Sequence, residues 1–166
     1  MKLQIRKAAQ SDVATILGFV RELARYEKAE EEVVASEEML RDSLFGKSPV
    51  AFALVCTMDE VAVGFALYFY NYSTWLGKKG LFLEDLYVSP SHRGQGAGLA
   101  LFKHLAGIAR EQDCGRMEWN VLDWNEPAIG FYKSLGAKPQ EEWVGYRLRG
   151  NEIALLCESA AGPKSA

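Results

Sequence analysis

Two adjacent carboxylates, Glu84 and Asp85, stand in the otherwise apolar or aromatic run Leu81 to Val88, and Arg93-Gly94-Gln95-Gly96-Ala97-Gly98 follows closely after. These residue types can do two kinds of chemistry. A carboxylate beside an amine draws the ammonium in and accepts its proton, often through a water. A glycine-rich loop that opens a helix lets backbone N–H groups approach an anion, which the unpaired amides and dipole of the first turn then attract. Arg93 adds a charged donor at the loop entrance. The bland alternatives are a structural ion pair for either acid and a tight turn for the glycines. A P-loop is disfavoured, because no Lys-Ser/Thr follows the last glycine, and the G-x-G-x-G spacing fits a dinucleotide fingerprint poorly.

Those residues need a strand, a turn and a helix to position them. Leu81 to Val88 reads as the strand, Ser89-Pro90-Ser91-His92 as the turn, and Leu99, Leu101, Phe102 and Leu105 as the buried face of the helix. Before them, Leu3 and Ile5 alternate as a short strand. Ser11-Asp12 is expected to cap a helix carrying Val13, Ile16, Leu17, Val20 and Leu23. Six glutamates crowd residues 27 to 38. Most fit a solvated loop, while Glu27 beside Tyr26 is a candidate for a cationic ligand. Ser36 is placed to cap a short helix stopped by Gly46, and Val50–Thr57 and Val61–Tyr70 form a hairpin across Met58-Asp59-Glu60. Tyr72 to Trp75 reads as a loop at the sheet edge, and Gly77-Lys78-Lys79-Gly80 as a basic turn.

After the glycine-loop helix, Met117 to Leu122 is expected to be a strand with Trp119 and Val121 opposite Glu118 and Asn120. Asn125 and Pro127 are placed to start a helix over Ala128 to Leu135 that ends at Gly136. Two closing strands are expected near Trp143–Leu148 and Glu152–Cys157, then a flexible tail over 159–166.

At 166 residues, 49% hydrophobic and 25% charged, the chain has the size and composition of one globular domain, taken as 1–158. A net charge of −3 disfavours general nucleic-acid binding and suits a cationic partner. The longest apolar run, Val50 to Cys56, is too short to span a membrane, and MKLQIRKAAQ lacks the apolar core of a signal peptide. Cys56, Cys114 and Cys157 are odd in number and far apart, so neither a disulfide framework nor a metal site is expected, and a cytoplasmic location fits. An acyl-cysteine mechanism is disfavoured, since neither His92 nor His104 has a visible cysteine partner.

The acid pair before Arg93-x-x-Gly96-x-Gly98, the Trp124-Asn125-Glu126-Pro127-Ala128 cap, and Phe131-Tyr132 followed by Gly136-Ala137 resemble the GNAT superfamily of acetyl-CoA-dependent N-acetyltransferases. ARYEKAEEEV, FLEDLYV and LDWNEPAIGFYKSLGA, in that order, are similar to the diamine acetyltransferase family, with its spermidine/spermine and thialysine branches. The resemblance runs from about Ile5 to about Leu156. It implies an α/β (α+β) fold, a mixed, mostly antiparallel splayed sheet flanked by helices. It implies acetyl-CoA as cosubstrate, with pantetheine beside Leu86-Tyr87-Val88 and pyrophosphate on Arg93 and the amides of Gly94, Gln95, Gly96, Ala97, Gly98 and Leu99. Asn125 and Tyr132 correspond to residues that meet the coenzyme from the other side.

For the reaction, the resemblance and the strand position make Glu84 the expected proton acceptor and Tyr132 the donor to the leaving thiolate. The amine-binding set is expected to be Tyr26, Glu27, Ser73, Thr74, Trp75, Glu84 and Asp85, with Glu118, Trp119 and Asn120 on the later strand. Ser73-Thr74 and Val121-Leu122-Asp123 look more like the thialysine branch than the polyamine branch. The family's acidic contact between Ala137 and Gly145 falls on Val144 or Glu142 and stays unassigned. The family forms dimers, so a homodimer is expected. A polyamine acetyltransferase, a non-catalytic acetyl-CoA sensor and a dinucleotide-binding module are the alternatives.

Overall fold

The computed structural model describes residues 2–158. The chain divides into two compact units between Asn120 and Val121, and the expected tail at 159–166 lies outside the described residues.

The first unit is a five-stranded sheet in the order β1 (Leu3–Lys7), β2 (Phe52–Met58), β3 (Val61–Ser73), β4 (Lys78–Val88) and β5 (Met117–Trp119). β1 to β4 pair antiparallel, and β5 joins β4 in parallel. The sheet is thus mixed and mostly antiparallel, as expected. α1 (Val13–Tyr26) buries Val13, Ile16, Leu17 and Phe19. α2 is Glu37–Phe45, and α3 (Ala97–Glu111) buries Ala97, Leu101, Phe102, Leu105 and Ala109. Ile16, Phe19, Leu44, Val55, Phe65 and Tyr87 share one core, so α1, α2 and the β2–β3–β4 face bury each other's apolar side chains. Gly64 is required there, because a Cβ on it would meet the Tyr87 carbonyl oxygen at 2.5 Å. The close approach of β3 to β4 depends on that missing atom.

Several local expectations hold. Ser36 Oγ accepts the Met39 N–H at 3.2 Å and starts α2. Asp59 and Glu60 take positive φ, at 47° and 70°, in the two-residue turn joining β2 and β3.

Others are corrected. Neither Ser11 nor Asp12 caps α1 through its side chain. A 3-10 turn, Gln10–Asp12, precedes the helix, and the Asp12 carboxylate accepts from both Arg6 Nη groups at 2.6 and 2.8 Å and from Ala9 N–H at 2.7 Å. The stronger, charge-assisted partner wins over the cap, and Arg6 holds the Asp12 carboxyl below the usual aspartate range. Tyr72 and Ser73 belong to β3, paired with Lys79 and Lys78, so only Thr74 to Gly77 form the turn. β5 ends at Trp119 rather than continuing to Leu122.

The second unit carries α4 (Glu126–Ser134), begun by the Asn125 side chain accepting the Ala128 N–H at 3.4 Å, as anticipated. Gly136 follows at φ +84°, the left-handed exit that glycine favours. The closing strands are not found. Trp143–Leu148 has no regular structure, and Gly150–Glu158 is a helix, α5. Its run of Glu152, Ala154, Leu155 and Leu156 is rich in helix formers. The Glu152 carboxylate also accepts the Arg149 N–H at 2.6 Å, satisfying a donor ahead of the first turn. These local terms make a helix of the segment Glu152–Cys157, where a strand is expected from the sequence.

Candidate active site

β4 carries most of the candidate residues. Its register with β3 pairs Leu67 with Asp85 and then Tyr68 with Leu83, so Glu84 is an extra residue on β4. A bulge of this kind breaks the simple up–down alternation and re-aims the flanking side chains. Glu84 is exposed, whereas Asp85 is largely sheltered. Burial pushes the Asp85 carboxyl up from 3.8 to about 6, with Glu84 and then Glu27 adding like-charge repulsion. Glu27, at the C-terminal end of α1, is itself raised by burial. The three acids therefore form one electrostatic group, with Asp85 raised to about 6.

The far edge of the same strand is paired over only part of its length among the described residues. β5 pairs with β4 only from Leu81 to Leu83. From Glu84 to Val88, including Leu86, Tyr87 and Val88, β4 has no strand neighbour on that side among the described residues. Such an edge offers backbone donors and acceptors to an extended ligand.

β4 leads through the 3-10 turn Pro90–His92 into the glycine loop. Gly94 and Gly96 take φ of +74° and +88°, which glycine adopts without strain. Gly96 is the N-cap of α3, and no side chain caps that helix. A Cβ at Gly94, Gly96 or Gly98 would meet nothing within 4 Å, so the space in front of the loop is open. Gln95 ties the loop back through Nε2 to the Ser91 carbonyl at 3.1 Å. The first-turn amides of Ala97, Gly98 and Leu99 thus open α3 with no competing side-chain acceptor, the arrangement that suits an anion. Arg93 donates its Nε–H to the Val88 carbonyl at 2.9 Å, and none of the ion pairs among the described residues involves it.

The remaining candidates divide. Tyr26 is 37% exposed at the end of α1 and lies under the Arg93 guanidinium, 5.2 Å from the ring centroid. Ser73 is buried and its Oγ accepts the Leu76 N–H at 3.3 Å, which closes the β3–β4 turn, while Thr74 and Trp75 are exposed on that turn. Glu118 binds Asn71 Nδ2 at 3.0 Å and Arg116 Nε at 2.8 Å, so its charge is already compensated. Trp119 packs edge-on against Phe102 at 5.1 Å, under α3, and Asn120 is exposed beyond β5. Asn125 and Tyr132 lie on α4 in the second unit, Asn125 as its cap and Tyr132 beside Phe131 at 5.6 Å between ring centroids.

Two features were beyond sequence reasoning. The Glu84 bulge has no side-chain signature, and the bond from Tyr87 Oη to Glu22 at 2.6 Å spans 65 residues. No group of His, Cys, Asp and Glu among the described residues is arranged to hold a metal ion. Burial raises the thiols of Cys56 and Cys114, the opposite of what an activated nucleophile needs.

The GNAT acetyltransferase family profile matches residues 17–137. Thialysine N-epsilon-acetyltransferase of Sus scrofa is 40% identical over 163 residues, covering 92% of this chain and 95% of that protein. Spermidine/spermine N(1)-acetyltransferase-like protein 1 of Homo sapiens is 34% identical over 161 residues, 90% of this chain and 23% of that longer protein. Among solved structures, an integron cassette protein from the mobile metagenome of V. cholerae superposes with a TM-score of 0.79 at 32% identity, covering 96% of this chain and 99% of that one. The chain belongs to the GNAT acetyltransferase family, on its diamine acetyltransferase side, and is an acetyltransferase enzyme.

Proposed function

We propose that this protein transfers the acetyl group of acetyl-CoA directly to the primary amine of a small cationic substrate, with a thialysine- or lysine-like amine favoured over spermidine and spermine. The observation that carries this reading is the build of β4. One strand presents a sheltered carboxyl raised to about 6, an edge without a strand neighbour among the described residues, and a direct lead into an uncapped helix N-terminus.

The residues present fit the coenzyme. Arg93 and the amides from Gly94 to Leu99 would hold the pyrophosphate, and the Leu86–Val88 edge would take the pantetheine amides as an added strand. Bound acetyl-CoA supplies a thioester carbonyl as electrophile and a thiolate as leaving group. The protein's share is charge and protons. Glu27, Glu84 and Asp85 attract an ammonium whose ordinary pKa is about 10.4 and which must lose a proton before it can attack. Glu84 is the exposed acid and draws the cation. In this reading Asp85 replaces Glu84, the acid expected from the sequence, as proton acceptor: with a pKa of about 6 it is ionised at pH 7 and can take up the proton directly or through a water. The amine nitrogen forms the new C–N bond as the C–S bond breaks. Tyr132 returns a proton to the sulfur, a role that rests on the family motif. Tyr26 stands with Glu27 as a candidate contact for the cationic amine, and Thr74 and Trp75 are the remaining candidates for contact with the rest of the substrate.

We also read residues 1–158 as one acetyltransferase domain, and the protein as a cytoplasmic homodimer without nucleic-acid, membrane or metal partners. These readings rest on the family resemblance, the net charge of −3 and the absence of any helix, among the described residues, long and apolar enough to cross a membrane. The test of the substrate is thiol release from acetyl-CoA with thialysine, lysine, putrescine, spermidine and spermine in parallel. Thialysine is expected to be turned over with the highest kcat/KM. A preference for spermidine or spermine would move the protein to the polyamine branch. Acetyl-CoA binding with no amine turned over would make it a sensor.

A further inference from the structure

The hydroxyl of Tyr87 ties the first helix to the strand that leads into the glycine loop. It donates to the Glu22 carboxylate at 2.6 Å, from β4 to α1. Phe19, three residues before Glu22 and on the same face of α1, packs on the Tyr87 ring with centroids 5.7 Å apart. The helix therefore grips this side chain at two points, the ring and the hydroxyl. Tyr87 is 5% exposed, whereas Glu22 is exposed. A buried phenol needs an acceptor, and that need alone would account for the bond.

The surroundings of the ring point past it. The guanidinium carbon of Arg93 lies 5.7 Å from the Tyr87 centroid and 5.2 Å from that of Tyr26, both within cation–π range. The Arg93 Nε–H is bonded at 2.9 Å to the carbonyl of Val88, the residue after Tyr87. Arg93 is thus seated on the Tyr87–Val88 segment by both its face and its edge, and its Nη groups carry the donors that would reach an anion. Burial first, then the Glu22 bond and charge, pushes the Tyr87 phenol up to about 12, while the Arg93 charge acts the other way. The ring stands neutral at pH 7, between an anion on α1 and a cation at the loop. A carboxylate acceptor holds a phenol more firmly than a neutral one and leaves the ring richer in electrons towards the cation.

We propose that Glu22 is a positioning residue for the coenzyme: it fixes the Tyr87 ring, and the fixed ring seats the Arg93 guanidinium where the pyrophosphate binds. The inference rests on the proposed assignment of Arg93 and the glycine loop to the coenzyme.

The experiment measures CoA binding to the full-length protein by calorimetry, and binding of pantetheine, which lacks the pyrophosphate and the nucleotide, by displacement of CoA. Glu22→Ala is expected to weaken CoA about two- to fivefold, the worth of one cation–π contact at a half-exposed site, and to leave pantetheine unchanged. Glu22→Gln keeps an acceptor for the phenol and should recover most of that loss. Tyr87→Phe keeps the ring without the bond; it should lose as much as Glu22→Ala, with no further loss when the two are combined. In an Arg93→Ala background, Glu22→Ala should have no effect on CoA. Equal weakening of CoA and pantetheine by Glu22→Ala would mark a general loosening of β4 and overturn the inference. So would unaltered CoA binding, or the same loss with Arg93 removed, and in those cases the proposed function survives. A wild type that binds CoA no more tightly than pantetheine would overturn the assignment of the loop to the pyrophosphate, and the inference with it.

Discussion

Asp85→Asn is the substitution that separates the charge at this site from its shape. Burial and the neighbouring Glu84 and Glu27 carry the Asp85 carboxyl from 3.8 to about 6. At about 1.4 kcal/mol per pH unit, the ionised form costs the folded state about 3 kcal/mol relative to the unfolded chain. The sign follows from proton counts. Between about pH 4 and pH 6 the folded protein keeps a proton on Asp85 that the unfolded chain has already released, so stability falls as pH rises through that window. A neutral amide in its place would carry no such cost. The variant should be more stable than wild type by about 2–3 kcal/mol at pH 8, somewhat below the full figure because a half-buried amide needs partners. The difference should shrink towards zero at pH 4. Urea unfolding of both proteins at pH 4, 6 and 8 reads it directly. Acetyl transfer by the same variant should fall by at least about a hundredfold, and the acid limb of the wild-type kcat/KM profile near pH 6 should vanish with it. A variant less stable than wild type at pH 8, or a difference flat from pH 4 to pH 8, would refute the electrostatic account of this site.

Three further perturbations probe other parts of the structure. Tyr132→Phe should lower kcat about a hundredfold or more and leave the KM for acetyl-CoA within about twofold, in steady-state thiol-release assays. Gly96→Ala places a side chain at φ +88°, where L-residues pay about 1–2 kcal/mol; thermal unfolding should show that loss, and CoA titration a weaker complex. Asp12→Ala removes the acceptor for Arg6 and the Ala9 N–H and should cost about 1.5–3 kcal/mol at pH 7. Because the Asp12 carboxyl is held below its ordinary value, that contribution is present above about pH 4 and disappears as pH falls through the folded-state pKa, which paired melts of wild type and variant at pH 3 and pH 7 would show.

What could be read in the sequence was what local chemistry decides. Ser36 and Asn125 name their helix starts because a short polar side chain reaches an amide three residues on. The glycine loop could be located because positive φ at Gly94 and Gly96 restricts residue type. The misread positions were those where a distant or competing partner decides. Asp12 looked like a cap until Arg6, six residues earlier, supplied a better partner. Glu152–Cys157 is expected as a closing strand, yet helix propensity and the Glu152 cap make it a helix. At the site, the types and order of the acids were readable, but the difference in their exposure was not. It depends on the one-residue bulge at Glu84, which leaves that acid exposed and Asp85 sheltered, and on α1 bringing Glu27 close.

The proposed reaction moves an acetyl group from acetyl-CoA to a small primary amine. Thiol release from acetyl-CoA, with the acetylated product identified by mass, tests it most directly. Stoichiometric thiol and N-acetylated amine are expected with thialysine, and a rate that collapses in Asp85→Asn and Tyr132→Phe. Thiol release that does not depend on any added amine, or none with every amine offered, would contradict it.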